Sequence, residues 1–314
     1  MLRRLFLSLL LLLLATGGGA YWLLTSQGGL DLALHLAGTL SGGRLQVEDA
    51  DGQLGERLRI GELRWQDGAT RVSVRRLELA WRPRALFDGH LQIEDLSIAS
   101  LRIDTATDDS PASLPDTLQL PLALQVATLR LESLQLGEHE IARQLSLQVD
   151  SDGRHHRIEQ IRLSAAEVAV SGQLRLDGAA PFPLQLDAEL HGQLEARPLA
   201  LKLGASGPLA ELAVSVNALA GIDGSADLRL TPFAEMPFAA ADIRLSGIDP
   251  AAWHPQLPAA RIDLNIALKP EAEGVSAHFQ LENQRPAPLD RGGLPLAALR
   301  SEEHTSELQS LTNL

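Results

Sequence analysis

His155 and His156 come closest to metal chemistry by type and spacing, because Asp150 and Asp152 stand just before them. Adjacent residues of a strand point to opposite faces, so one ion cannot collect both imidazoles. Gly153 marks the segment as a turn, and a solvated turn is the favoured reading. Asp108 and Asp109 form the kind of carboxylate pair that does acid–base work. They stand in a Ser- and Pro-rich loop with no histidine or basic neighbour, which favours a solvated loop. Gly204-Ala205-Ser206-Gly207 lacks the spacing of a nucleophile elbow. Neither Lys202 nor Lys269 follows a glycine, so no phosphate loop is present, and Gly17-Gly18-Gly19 sits inside an apolar run. With no cysteine, the chain has no thiol nucleophile, thiolate metal site or disulfide. Trp65 and Trp81 suit a ligand edge and strand packing equally. The expectation is a protein without catalytic residues, cofactor or metal, working by contact and not by covalent chemistry.

The elements that would make such contacts begin with the N-terminus. Arg3 and Arg4 precede Leu5 to Leu14, and no charge follows until after Leu24. A helix of ~20 residues rising ~1.5 Å each just crosses a hydrocarbon core of ~30 Å. The arginines place its start in the cytoplasm, and Tyr21 and Trp22 fall where an interfacial aromatic belt lies. A cleaved signal peptide is the alternative, since Gly18 and Ala20 resemble a small-residue cleavage site. Tyr21-Trp22-Leu23-Leu24 prolongs the apolar run, which favours an uncleaved anchor. Both readings export the rest of the chain. The net charge of -13 argues against nucleic-acid binding.

Alternation at period two dominates the remainder of the chain. Leu118 to Val126 is one run and Ile262 to Leu268 another. Leu58–Trp65, Thr70–Val74 and Leu77–Trp81 read as separate strands, with Asp67-Gly68 as a hairpin turn. Asp95 between Ile93 and Leu96 shifts the phase by one, which a bulge would absorb. Short turns with Gly or Pro, and no long helices between strands, favour antiparallel meanders over βαβ units. The expected fold is mostly β: an N-terminal transmembrane helix, then an elongated, curled antiparallel sheet with few short helices. Its parts are a signal anchor over 1–27, a short juxtamembrane amphipathic helix over 28–43, and a β-groove over 44–299 with a loop at 105–117. About twenty strands ~4.8 Å apart cannot stay in one flat open sheet. The apolar face then closes into a dry core or forms a gutter satisfied by long hydrocarbon chains. The candidate lining is Leu77, Leu79, Trp81, Leu91 and Ile93, then Leu120, Leu122 and Leu124. Leu145, Leu147, Ile262, Leu264 and Ile266 complete it.

Residues 59–103 carry a resemblance. Trp65 with Asp67-Gly68, a strand ending Leu77-x-Leu79-x-Trp81, Pro83, Leu86, and Gly89-x-Leu91-x-Ile93-x-x-Leu96 resemble the N-terminal part of the TamB family of AsmA-like proteins. Leu120-Pro121-Leu122, Pro181-Phe182-Pro183-Leu184 and Gly247-Ile248-Asp249-Pro250 extend the likeness. The resemblance implies a single-pass inner-membrane protein of a Gram-negative bacterium. The bulk of the chain would lie in the periplasm as a taco-shaped β-groove carrying phospholipid between the membranes. It also implies a partner, an outer-membrane barrel of the TamA type, met through a C-terminal domain that this sequence does not include.

Two function classes share that fold. One is a lipid-conducting groove. The other is a scaffold or chaperone that binds nascent outer-membrane β-strands by edge addition. The uniformly aliphatic alternate positions, as in Leu145-x-Leu147-x-Val149, favour lipid. Arg300 to Ser310 resembles the conceptual translation of a sequencing-library adapter. On that reading the natural protein continues beyond Leu299, and Arg300–Leu314 makes no stable contact with the strands.

Overall fold

The structure is a computed structural model describing residues 21–68, 70–105, 113–165, 167–194, 197–221, 223–254, 256–271 and 274–305. It divides into two compact units, residues 1–109 with 120–166, and residues 110–119 with 167–314.

The first unit opens with helix at 21–25 and then α1, Gln27–Leu40. The chain breaks at Ser26, whose extended backbone lets its hydroxyl cap α1 by accepting from the Gly29 N–H at 3.0 Å. Seven strands follow: β1 Leu45–Gly52, β2 Arg57–Asp67, β3 Thr70–Arg82, β4 His90–Thr105, β5 Ala123–Leu136, β6 His139–Ser151 and β7 His155–Ala165. Each pairs with the next in chain order. The Asp67-Gly68 turn joins β2 to β3, with Gly68 at φ 57. A 3-10 turn, Pro83–Asp88, joins β3 to β4 and ends on left-handed Gly89.

The second unit holds nine strands, again in chain order. They are β8 Val168–Asp177, β9 Pro183–Leu194, β10 Arg197–Pro208, β11 Leu212–Ala220 and β12 Asp223–Leu230, then β13 Phe238–Ile248, β14 Ile262–Glu271, β15 Gly274–Asn283 and β16 Ala298–Thr305. A single helical turn, α2 Pro250–Trp253, is capped by Asp249, whose carboxylate accepts from the Ala251 N–H.

Four expectations are corrected. Within each unit the pairing is antiparallel except between β4 and β5, which run parallel. The connection over 106–122 is long enough to return the chain to the end from which β4 started, which no tight turn permits. Thr70–Val74 and Leu77–Trp81 are one strand, because left-handed Arg76 (φ 48) lets β3 change phase without ending. Leu118–Leu122 is not strand. Pro121 has no N–H for a ladder, and the Leu120 N–H instead donates to the Gly153 carbonyl at 2.7 Å. Finally, Arg300–Thr305 belong to β16 and pair with β15 from Ser276 through Gln280 and beyond, so the tail does contact the sheet. Strand pairing is made by backbone groups, and an open edge accepts any extended segment that reaches it.

Among the described residues no helix is long and apolar enough to cross a membrane. The expected span from Arg3 and Arg4 through Leu14 lies outside the described residues, as do Asp108 and Asp109.

Candidate functional site

The registers of the first unit align the aliphatic residues into rows that cross the sheet. One row is Leu58, Leu79, Leu96, Leu129 and Leu147. The next is Ala50, Ile60, Leu77, Ile98, Leu131 and Leu145. A third is Val47, Leu63, Val74, Leu101, Leu134 and Ala142. They are flanked by Leu45, Trp65, Val72, Ile103 and Leu136 on one side and by Trp81, Ile93, Val126, Val149 and Ile158 on the other. No charged residue interrupts these rows. Most of their members are half-buried, which a dry interior would not leave them.

The second and third rows are three residues apart on every strand, not two. Between them the ladder skips one residue per strand: Asp49, Gly61, Arg76, Ala99, Glu132 and Gln144. These six fall opposite one another and form a seam. Asp49, Arg76 and Gln144 take positive φ (55, 48 and 52), the left-handed conformation that inverts which way the next side chain points. Val47 and Ala50, like Ile60 and Leu63, therefore stay on one face, and all four pack about the same cluster. Gly61 has no Cβ because one would stand 2.7 Å from the Asp49 Cβ.

Helix α1 covers one end of this face. Leu30 is wholly buried against Leu58 and Ile60, with Leu34, Leu77 and Leu79 around them. The Gln27 amide grips the free edge of β1, donating to the Ala50 carbonyl at 3.0 Å and accepting from the Gly52 N–H at 3.1 Å. Leu77 and Leu79 thus lie under the helix, and the Trp81 indole N–H donates to the Leu54 carbonyl at 2.7 Å. Leu91, Ile93, Leu124, Leu145 and Leu147 are half-buried on the face. Leu120 and Leu122 are exposed and off the strand.

In the second unit Ala188, Leu203, Val216, Ala226, Ile243, Ile266 and Phe279 form one aliphatic row. Leu245, Leu264, Leu281 and Leu299 form another. Leu264 and Ile266 are half-buried there. Ile262 is buried beside Asn283, itself buried and donating to the Leu294 and Leu296 carbonyls, so it is no open lining residue. The cavity of about 450 Å³ in this unit lies over Asp187, Gly204, Ser215, Asp227 and Asp242. Those five form one cross-strand row alternating with the aliphatic ones, so that cavity belongs to the polar face.

The histidines go to separate partners. His155 Nδ1 stands 2.8 Å from the Asp152 carboxylate, whose other oxygen accepts from the Arg154 and His155 N–H groups. His156 Nδ1 is 2.8 Å from the Ser151 hydroxyl. The His155 N–H and ring, then the Arg154 N–H, hold the Asp152 carboxyl well below the usual carboxylate range. Among the described residues no group of three metal-ligating side chains converges.

Sequence reading left Ile98, Leu101 and Leu131, the middle of the face, out of the lining. The signal was present as an apolar i, i+3 step repeated on six consecutive strands, with two polar residues between on four of them and Gly61-Glu62 or Ala99-Ser100 on the others.

Neither a comparison with curated proteins nor one with solved structures finds a match. The family model described as TamB, N-terminal domain, matches residues 16–118 and 110–241. With those matches spanning most of its length, the chain belongs to the TamB family and carries its N-terminal domain.

Proposed function

We propose that this is an inner-membrane-anchored, periplasmic protein that conducts phospholipid between the inner and outer membranes, with acyl chains on its aliphatic face and headgroups in water. In the same reading it supports outer-membrane protein assembly beside a barrel partner of the TamA type, and no catalytic step is involved. The observation that carries this is the set of aliphatic rows across β1 to β6, uninterrupted by charge and mostly half-buried. Each methylene held out of water contributes ~0.8 kcal/mol wherever it lies along such a face. A chain therefore moves from row to row without leaving a deep site, whereas one unpaired charge would be a barrier.

The edge-addition reading finds less support at β1. Glu48, Asp49 and Asp51 charge that edge, Asp49 leaves the ladder, and Gln27 already occupies two of its backbone groups.

A photo-crosslinking amino acid at Ile98 or Leu264 should capture labelled phospholipid in cells, and the same group at Glu132 or Asn265, on the opposite face, should not. Equal capture from both faces, or none from either, would overturn the conduit.

A further inference from the structure

The 3-10 turn Pro83–Asp88 carries large apolar side chains in the open. Phe87 is 91% exposed at its tip and Leu86 beside it is exposed too. A lone exposed apolar residue needs no explanation, but these have neighbours.

Several contacts fix which end of the sheet this is. The Gly55 N–H, in the β1–β2 turn, donates to the Leu24 carbonyl at 2.6 Å. Trp81 reaches the same turn through Leu54 and Glu56, just before the chain enters Pro83–Asp88. The Ala123 N–H donates to the Gly89 carbonyl, which brings Leu120 and Leu122 alongside. Tyr21, Trp22, Leu86, Phe87, Leu120 and Leu122 therefore share one end, and all six are exposed. Among the described residues, Tyr21, Trp22 and Phe87 are the aromatic members of the exposed large hydrophobics. Arg57 and Arg84 lie at this end as well, exposed and without an ion pair among the described residues.

We propose that Pro83–Asp88 is a second membrane contact, with Phe87 and Leu86 seated in the lipid interface beside the Tyr21-Trp22 end of the apolar N-terminal segment and Arg84 and Arg57 at the anionic phosphates. Aromatic rings with an apolar body settle at the headgroup boundary, and arginine stems reach past them to phosphate. The occupant is a lipid surface because these side chains stand exposed on turns and connections and not in a groove, Phe87 most of all. The cluster is also continuous with Leu23 and Leu24 at the end of the uncharged N-terminal run. The proposal rests on the lipid-conduit reading and deepens it. With Phe87 seated, the row of Trp81, Ile93, Val126 and Val149 begins at the membrane, so an acyl chain boards the aliphatic face without crossing water.

The absence of cysteine makes the test direct. The full chain carrying Phe87→Cys is labelled with a polarity-sensitive fluorophore and reconstituted into vesicles of phosphatidylethanolamine and phosphatidylglycerol. Its emission should shift to the blue and be quenched by lipid spin-labelled near the headgroup. Leu136→Cys and Ile141→Cys, exposed at the far end of β5 and β6, should report water throughout. Emission at position 87 equal to that at position 136 would overturn the contact. A blue shift that grows with protein concentration but resists the spin-labelled lipid would also overturn it, and would assign the turn to a second copy of the chain. Loss of lipid capture at Ile98 with quenching at position 87 intact would remove the conduit and leave the contact standing.

Discussion

Inserting one alanine between Arg75 and Arg76 should unfold the first unit far more readily than any substitution of Arg76. In the parent, the left-handed residue lets β3 present Val72 and Val74 and then Leu77, Leu79 and Trp81 on one face. With one residue more and the left-handed step kept, alternation continued from Val74 turns those last three to the polar face and brings Glu78 onto the aliphatic one. Full burial of such side chains is worth ~1.5–3 kcal/mol each, and all three are half-buried, so their combined loss is about 3 kcal/mol. Glu78 facing the aliphatic rows adds about 1–3 kcal/mol by analogy with an unsatisfied buried polar group. Together this is a large part of a domain stability of about 5–15 kcal/mol. Arg76→Gly is the contrasting variant. It relieves a left-handed cost of ~1–2 kcal/mol and returns ~0.5–1 kcal/mol through a freer unfolded chain, leaving stability within about 1 kcal/mol of the parent. Equilibrium urea unfolding, followed by tryptophan fluorescence, separates the two. An insertion variant with the parent's midpoint would show that the phase at the seam does not set which residues face the rows.

Two further outcomes rest on single contacts. Gly29→Val places a Cβ 2.4 Å from the Leu23 carbonyl oxygen and should lift α1 from Leu58 and Ile60, exposing α1 to limited proteolysis; an unchanged digestion pattern would refute that packing. Asp152, whose carboxyl is held low by the His155 N–H, the His155 ring and the Arg154 N–H, contributes stability above its unfolded value near 3.8 and loses it as pH falls through the folded one. Asp152→Asn should therefore lower the urea midpoint at pH 7 by more than at pH 3, and a pH-independent difference would exclude the carboxylate as the cause.

The strands were legible because period two survives in almost every one of them, and the bulge near Asp95 was legible from the Ile93–Leu96 step. The same step between Val74 and Leu77 was read as a gap between two strands, since a phase break looks identical whether the chain turns or one residue takes positive φ. Only the register shows that Asp49, Gly61, Arg76, Ala99, Glu132 and Gln144 stand opposite one another. The parallel pairing of β4 and β5 left no local mark, because both partners are apolar in the same alternation and orientation is decided by the length of 106–122. Leu120 and Leu122 alternate like a strand, yet Pro121 and the Gly153 carbonyl hold them outside it. At β16 the likeness to a translated sequencing adapter pointed to a segment foreign to the sheet, and the register brings Ser301 opposite Phe279, breaking an aliphatic row. That likeness concerns side chains, and β15 was paired by backbone.

The seam also bears on how a lipid path can be long and still uninterrupted. Bulged residues bend a strand and increase its twist, and a bend normally disturbs the side chains around it. Here every strand from β1 to β6 gives up one residue at the same height, so the disturbance is taken by the polar face. Arg75 and Arg76 are both exposed there, as are Glu48 with Asp49 and Arg143 with Gln144. The aliphatic rows on either side keep their cross-strand pairing through the three-residue step, Ile98 with Leu131 and Leu101 with Leu134. A cluster of charges thus lies directly behind the middle of the face without any of them on it. For a substrate held by methylene contacts alone, that arrangement permits curvature at no loss of continuity.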